Sequence, residues 1–108
     1  MNEKDDEITK VYFIMASWPD STPSVLAMFP YVLGTYDPNT CLSYAHIGQH
    51  GSACTVTPFP YFWRKATPEE YLPLMKELET IGYNLEVLEK FPHLDSYDYR
   101  KEALKNWY

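Results

Sequence analysis

The chain has 108 residues, 45% of them hydrophobic and 17% aromatic, which suits one folded domain with a modest core and excludes general disorder. Fifteen acids against nine Lys and Arg give a net charge of −6, which argues against direct binding of nucleic-acid phosphates. The charges are unevenly spread: between Val11 and Trp63 only Asp20 and Asp37 are charged. Every apolar run is broken well short of the roughly 18 residues of a membrane span, and the N-terminus is polar and acidic, unlike a secretory signal.

Residues 1–9 read as a flexible acidic leader, residues 10–90 as one domain and residues 91–108 as a C-terminal helical extension. Lys10–Ala16 is β-branched and aromatic and predicts a buried strand. Residues 18–23, with two prolines, Asp20 and Ser21, read as turn chemistry. Ser24–Phe29 predicts a second strand, with Pro30 ending it or marking an edge. Asp37-Pro38-Asn39 is a further turn. In Cys41–Ile47, Leu42, Tyr44 and His46 share one face of a third strand, and Cys41, Ser43 and Ala45 share the other. Gly48 and Gly51 bracket a loop whose backbone angles need glycine, and Ser52–Thr57 returns as a short fourth strand. Phe59, Tyr61, Phe62 and Trp63, set among Pro58 and Pro60, add aromatic bulk to the junction that follows.

Thr67-Pro68-Glu69-Glu70 combines an N-cap, proline at the first helical position and a glutamate three residues after the cap. The stripe Tyr71, Leu74, Met75, Leu78, Ile81 follows at helical spacing, and Gly82 supplies the stop. Pro73 predicts a kink or restart within this helix, Pro68–Ile81. Leu85–Leu88 reads as a strand. Asp95 or Ser96 caps a final helix through Asn106, with Tyr97, Leu104, Trp107 and Tyr108 along one apolar edge. Strands first, then helix, strand and helix, predict an α+β fold. Its mainly antiparallel sheet has four or five short strands, one helix packed on a face and an added C-terminal helix.

Three phrases carry a resemblance: residues 24–30, ending in Phe-Pro; the Ser43-Tyr44-Ala45-His46-Ile47-Gly48-Gln49-His50-Gly51 block; and the Thr67-Pro68-Glu69-Glu70-Tyr71 helix ending in Ile81-Gly82-Tyr83. Over roughly Val11 to Leu88 the chain resembles a group of short uncharacterised proteins of bacteria and their phages or mobile elements. The resemblance implies a small stand-alone protein and brings no established activity with it.

Tyr44, His46, Gln49 and His50, with Tyr61 and Trp63, form the candidate binding surface. Exposed loops on a rigid sheet and exposed Tyr and Trp are where partners are commonly met. The expected function is a non-enzymatic interaction protein of phage or mobile-element type that contacts a protein partner, a host protein among the candidates, or its own second copy as a homodimer. No catalytic residue is assigned. One alternative is a zinc-binding protein or small hydrolase, because Cys41, His46, His50 and Cys54 are the right donor types for tetrahedral zinc; the spacing lacks a close C-x2-C pair. A second alternative is an acidic inhibitor of a host nucleic-acid enzyme, built on Glu69, Glu70, Glu77, Glu79, Glu86 and Glu89. A cytoplasmic location is expected, with both cysteines as thiols. A disulfide would require Cys41 and Cys54 to face each other across a hairpin.

Overall fold

The computed structural model describes residues 8–17, 24–45, 49–55 and 62–105. Eight elements follow in order: β1 Thr9–Ser17, β2 Ser24–Leu33, β3 Thr40–Ala45, β4 Gln49–Cys54, β5 Phe62–Lys65, α1 Pro68–Thr80, β6 Leu85–Val87 and α2 His93–Leu104. The strands form one sheet in the order β4-β3-β2-β1-β5, with β6 also on β1. β1 to β4 and β5 are joined by antiparallel pairs, and β6 runs parallel to β1. The fold is α+β with a mainly antiparallel sheet, as the order of sequence signals predicts, with six strands where four or five are expected.

Alternation along the strands sorts the core into two layers. Val11, Phe13, Ala27, Phe29 and Tyr44 face α1 and pack with Leu74 and Leu78. Tyr12, Ile14, Met28 and Cys41 face the other way and pack with Phe91, which leads into α2. The one-face cover expected for α1 holds, and the chain's own C-terminal portion covers the second face. Stacked rings fix α1 and its exit: Phe13 lies on Tyr71 at 4.4 Å between centroids, and Phe29 on Tyr83 at 5.2 Å.

The capping box predicted for α1 is present. The Thr67 hydroxyl accepts from the Glu70 amide, and the Glu70 carboxylate accepts from the Thr67 amide at 2.9 Å. Arg64 of β5 adds two bonds to the same carboxylate, at 2.9 and 2.6 Å. The helix ends in a Schellman arrangement: Gly82, at φ 115°, donates to Glu79 O, and Tyr83 donates to Leu78 O.

Several expectations need correction. α1 runs through Pro73 without a restart, because Leu74 and Leu78 clamp the turns that follow it onto the sheet. Ile81, expected on the apolar stripe, is 53% exposed, since the helix ends one residue before it. β2 does not end at Phe29. It continues to Leu33, and the pairing with β3 slips between Phe29 and Leu33, so Pro30 sits within a bulge of an internal strand. β4 begins at Gln49, three residues before the predicted start, so residues 49–51 of the expected loop are strand. Gly51 does not supply unusual backbone angles; Gly82 is the glycine with positive φ among those described. Residues 62–65, expected only as an aromatic junction, are strand β5.

α2 departs furthest from expectation. It starts at His93, and neither Asp95 nor Ser96 caps it: the N-cap position is Pro92, with no side-chain capping bond. Its buried residues are Ser96 and Arg100, not an edge of Tyr97 and Leu104; Trp107 and Tyr108 lie outside the described residues. The Arg100 guanidinium is 1% exposed and donates to Pro30 O, to Pro38 O at 2.8 Å and to Ser96 Oγ at 2.8 Å. Burial lowers its pKa below the ordinary arginine value, opposed by the nearby Cys41 and Tyr97. The Pro30 carbonyl belongs to the bulge and the Pro38 carbonyl to the β2–β3 turn, so one side chain ties both irregularities to α2.

Replacing Arg100 with Met strands two backbone carbonyls and should cost about 3 kcal/mol in urea unfolding, with Arg100→Lys recovering only part of it because an ammonium cannot reproduce the planar fork. Glu70 gives a pH signature. Its pKa falls to about 2, first through the Arg64 bonds and then through the Thr67 amide. Because the folded value lies below the unfolded one, its contribution is complete above the ordinary carboxylate range and is lost as pH falls through about 2. NMR titration should find Glu70 still ionised well below the ordinary carboxylate range; protonation within that range would refute the assignment.

Candidate functional site

On the α1 face, the strand register sets Phe13, Ala27, Tyr44 and His50 in one row, from β1 through β2 and β3 to β4. Phe13, Ala27 and Tyr44 are buried beneath α1, and the row emerges into solvent at His50 because β4 is the outermost strand. Tyr44 is 1% exposed, and its hydroxyl donates to Glu77 Oε2 of α1 at 2.5 Å. The His50 ring meets the Tyr44 ring edge-on at 4.8 Å between centroids. His50 Nε2 shares a 2.9 Å hydrogen bond with the Tyr83 hydroxyl. Tyr83 is held there by the turn at Gly82 and by its stack on Phe29.

The site is therefore an exposed imidazole fixed on two sides by tyrosines. Its immediate acid, Glu77, is bonded to Tyr44. Partial burial pushes the Tyr83 phenol above its ordinary pKa, so it keeps its proton around neutral pH and serves His50 as donor or acceptor according to the imidazole tautomer.

Of the residues expected to form the binding surface, Tyr44 and His50 are brought together, but Tyr44 is buried and bonded to Glu77, so it supports His50 and is not itself a contact residue. His46 and Tyr61 lie outside the described residues, as do the side chains of Gln49 and Trp63. The backbone of Gln49 pairs with Ala45, and that of Trp63 pairs with Ala16 on the opposite edge of the sheet. Among the zinc candidates, Cys41 and His50 stand on opposite faces: Cys41 packs with Tyr12 and Met28, and His50 against Tyr44. Among the described residues no group of three or more His, Cys, Asp or Glu could hold a metal ion. Cys41 pairs with Ala53 and Cys54 with Thr40, so the hairpin is one residue out of the register that would set the cysteines opposite each other.

Three of the acids proposed as a mimic surface have partners within the fold: Glu70 with Arg64, Glu77 with Tyr44 and Glu89 with Lys65. Asp37 is a turn residue as expected, its carboxylate accepting from the Asn39 amide at 2.9 Å. No described helix is long and apolar enough to cross a membrane.

Glu77, read from the sequence only as part of an acidic surface, and Tyr83, read only as the end of the α1 phrase, are the residues of this site that the sequence does not place in it. Glu77 had a signal, because Leu74, Glu77, Leu78 and Ile81 share the inward spacing, which puts a carboxylate on the apolar stripe. Tyr83 had another: the residue after a helix-ending glycine folds back toward the helix's last turn. No protein family, curated protein or solved structure matches the chain.

Tyr83→Phe keeps the ring stack and removes only the hydroxyl. It should lower stability by at most about 1 kcal/mol while releasing His50, seen by NMR as rotamer averaging of the imidazole. An unchanged, single His50 rotamer would show that Tyr44 alone orients the ring.

Proposed function

We propose that this chain is a small non-enzymatic interaction protein, of the phage or mobile-element kind that the resemblance implies. Its contact surface is the β3–β4 end of the sheet, centred on exposed His50, with half-buried Tyr83 beside it and buried Tyr44 supporting the imidazole from within the fold. The observation that carries the reading is that His50 is exposed yet held, by the 2.9 Å bond to Tyr83 and the edge contact with Tyr44. An exposed side chain already fixed in one orientation loses little further entropy when a partner closes over it. Half-buried Tyr83 beside it supplies apolar area with a polar tip, a composition suited to protein contacts. The helix acid in the cluster is occupied by Tyr44, which supports a positioning role for it over general-base work.

A photo-crosslinking amino acid placed at position 50, in cells of the source, should recover one specific protein. The same group at exposed Glu102, on α2, should not recover it. Equal recovery from both positions, or none from position 50, would sink this reading.

A further inference from the structure

The two edges of the sheet are built differently. One edge consists of β5 and β6, four and three residues long, which follow each other along β1. It carries Arg64 and Lys65, ion-paired to Glu70 and Glu89, and Glu86. Short strands and charge are the devices by which proteins keep an edge from pairing with another chain. The other edge is β4, six residues reading Gln-His-Gly-Ser-Ala-Cys. It has no charge and no proline, and its pairing with β3 is unbroken from Thr40↔Cys54 to Ala45↔Gln49. Among the described residues nothing pairs with its outer side.

Gly51, in the middle of this strand, adds a second observation. Its φ is not in the positive range, and a Cβ built there would meet only Ser43 Oγ, at 3.7 Å, an ordinary contact. Neither backbone angle nor crowding among the described residues calls for glycine, which weakens a strand relative to other residues. Gly34 shows what an internal requirement looks like: a Cβ there would lie 2.6 Å from Cys41 O and from Ser52 Cβ. A strand glycine without such a requirement fits a place where another backbone approaches from outside.

We propose that β4 pairs antiparallel with β4 of a second copy of this chain across a two-fold axis near Gly51, so that the sheet runs on from one chain into the other. The inference rests on the β3–β4 end being the contact surface and names its occupant. Charge selects that occupant. A basic or acidic peptide would find no counter-charge on β4, whereas a second β4 is equally uncharged and brings small residues at 51–53 to the seam. The pairing is self-complementary and closes at two chains. Two six-residue strands bury less than the roughly 1,600 Å² of a standard interface, so the dimer is reversible and concentration-dependent.

Sedimentation equilibrium of the full chain, up to several hundred micromolar, should show a rise from the 12.7 kDa monomer toward twice that mass. Ser52 is exposed on the same face as His50, where its counterpart lies opposite or diagonally across the seam. Ser52→Lys and Ser52→Glu should each weaken dimerisation roughly tenfold or more, and mixing the two should restore it as a heterodimer. A misfolded variant would not be rescued by its opposite, so the mixture separates lost pairing from lost folding. A monomer at every concentration overturns the proposal. So does a dimer that both substitutions leave intact, or a mixture that fails to recover. If the chain stays monomeric while crosslinking from position 50 still recovers a different protein, the second copy is wrong and the interaction reading stands.

Discussion

Among the described residues, the sheet is tied together by one buried cation, Arg100. β2 lies between β1 and β3, and it contains Pro30, which has no N–H to give a neighbouring strand. Pro30 cannot donate, and the pairing of β2 with β3 slips between Phe29 and Leu33 before resuming. A break inside a sheet leaves carbonyls that water cannot reach, and each would cost a full desolvation penalty if left bare. Arg100 meets that need. Its several donors are spread over a plane, so it takes the Pro30 and Pro38 carbonyls at once and uses Ser96 of its own helix as a third acceptor. A buried charge is normally a liability, but a guanidinium hydrogen-bonded in this way is satisfied by dipoles rather than by an opposing ion.

That arrangement also accounts for α2. A helix whose inward residues are Ser96 and Arg100, and whose Leu94 and Tyr99 are 83% and 59% exposed, is not held by an ordinary apolar stripe. Phe91 anchors the approach by packing on Tyr12, edge-on at 5.7 Å, and Arg100 anchors the helix itself. Tyr99 adds an edge-on contact with Tyr31, whose ring lies under the Lys10 ammonium. The polar tie at the bulge and the apolar contacts beside it hold the second face of the sheet closed, leaving the first face to α1 and the His50 row.

What was legible in the sequence follows the reach of each signal. The α1 boundaries were readable because the capping box and Gly82 act within a few residues of themselves. The facing of Leu42 and Tyr44 against Cys41 and Ser43 was readable because alternation needs no tertiary knowledge. The start of β4 was not: Gly48 and Gly51 resemble loop residues until Tyr44 and Ala45 are seen to be the partners of His50 and Gln49. Arg100 was hidden for the same reason. Nothing local to a polar helix announces a carbonyl 70 residues earlier that lacks a partner. The bond between Tyr44 and Glu77 spans 33 residues, and only the misplaced acid on the α1 stripe hinted at it.

The charge-poor middle of the chain can now be read in structural terms. Residues 11–63 supply β2, β3, β4 and most of β1, while the ion pairs of the guarded edge come from residues 64–89. Among the described strands, charge is therefore concentrated at the β5–β6 edge and absent from β4. A uniform need for solubility would place charge on both edges, since each presents backbone donors and acceptors to solvent. The asymmetry is what the proposed pairing at β4 would require. The same edge carries His50, held by Tyr83 at the end of a buried row, so the one oriented exposed imidazole and the one unguarded strand described here occupy the same side of the molecule.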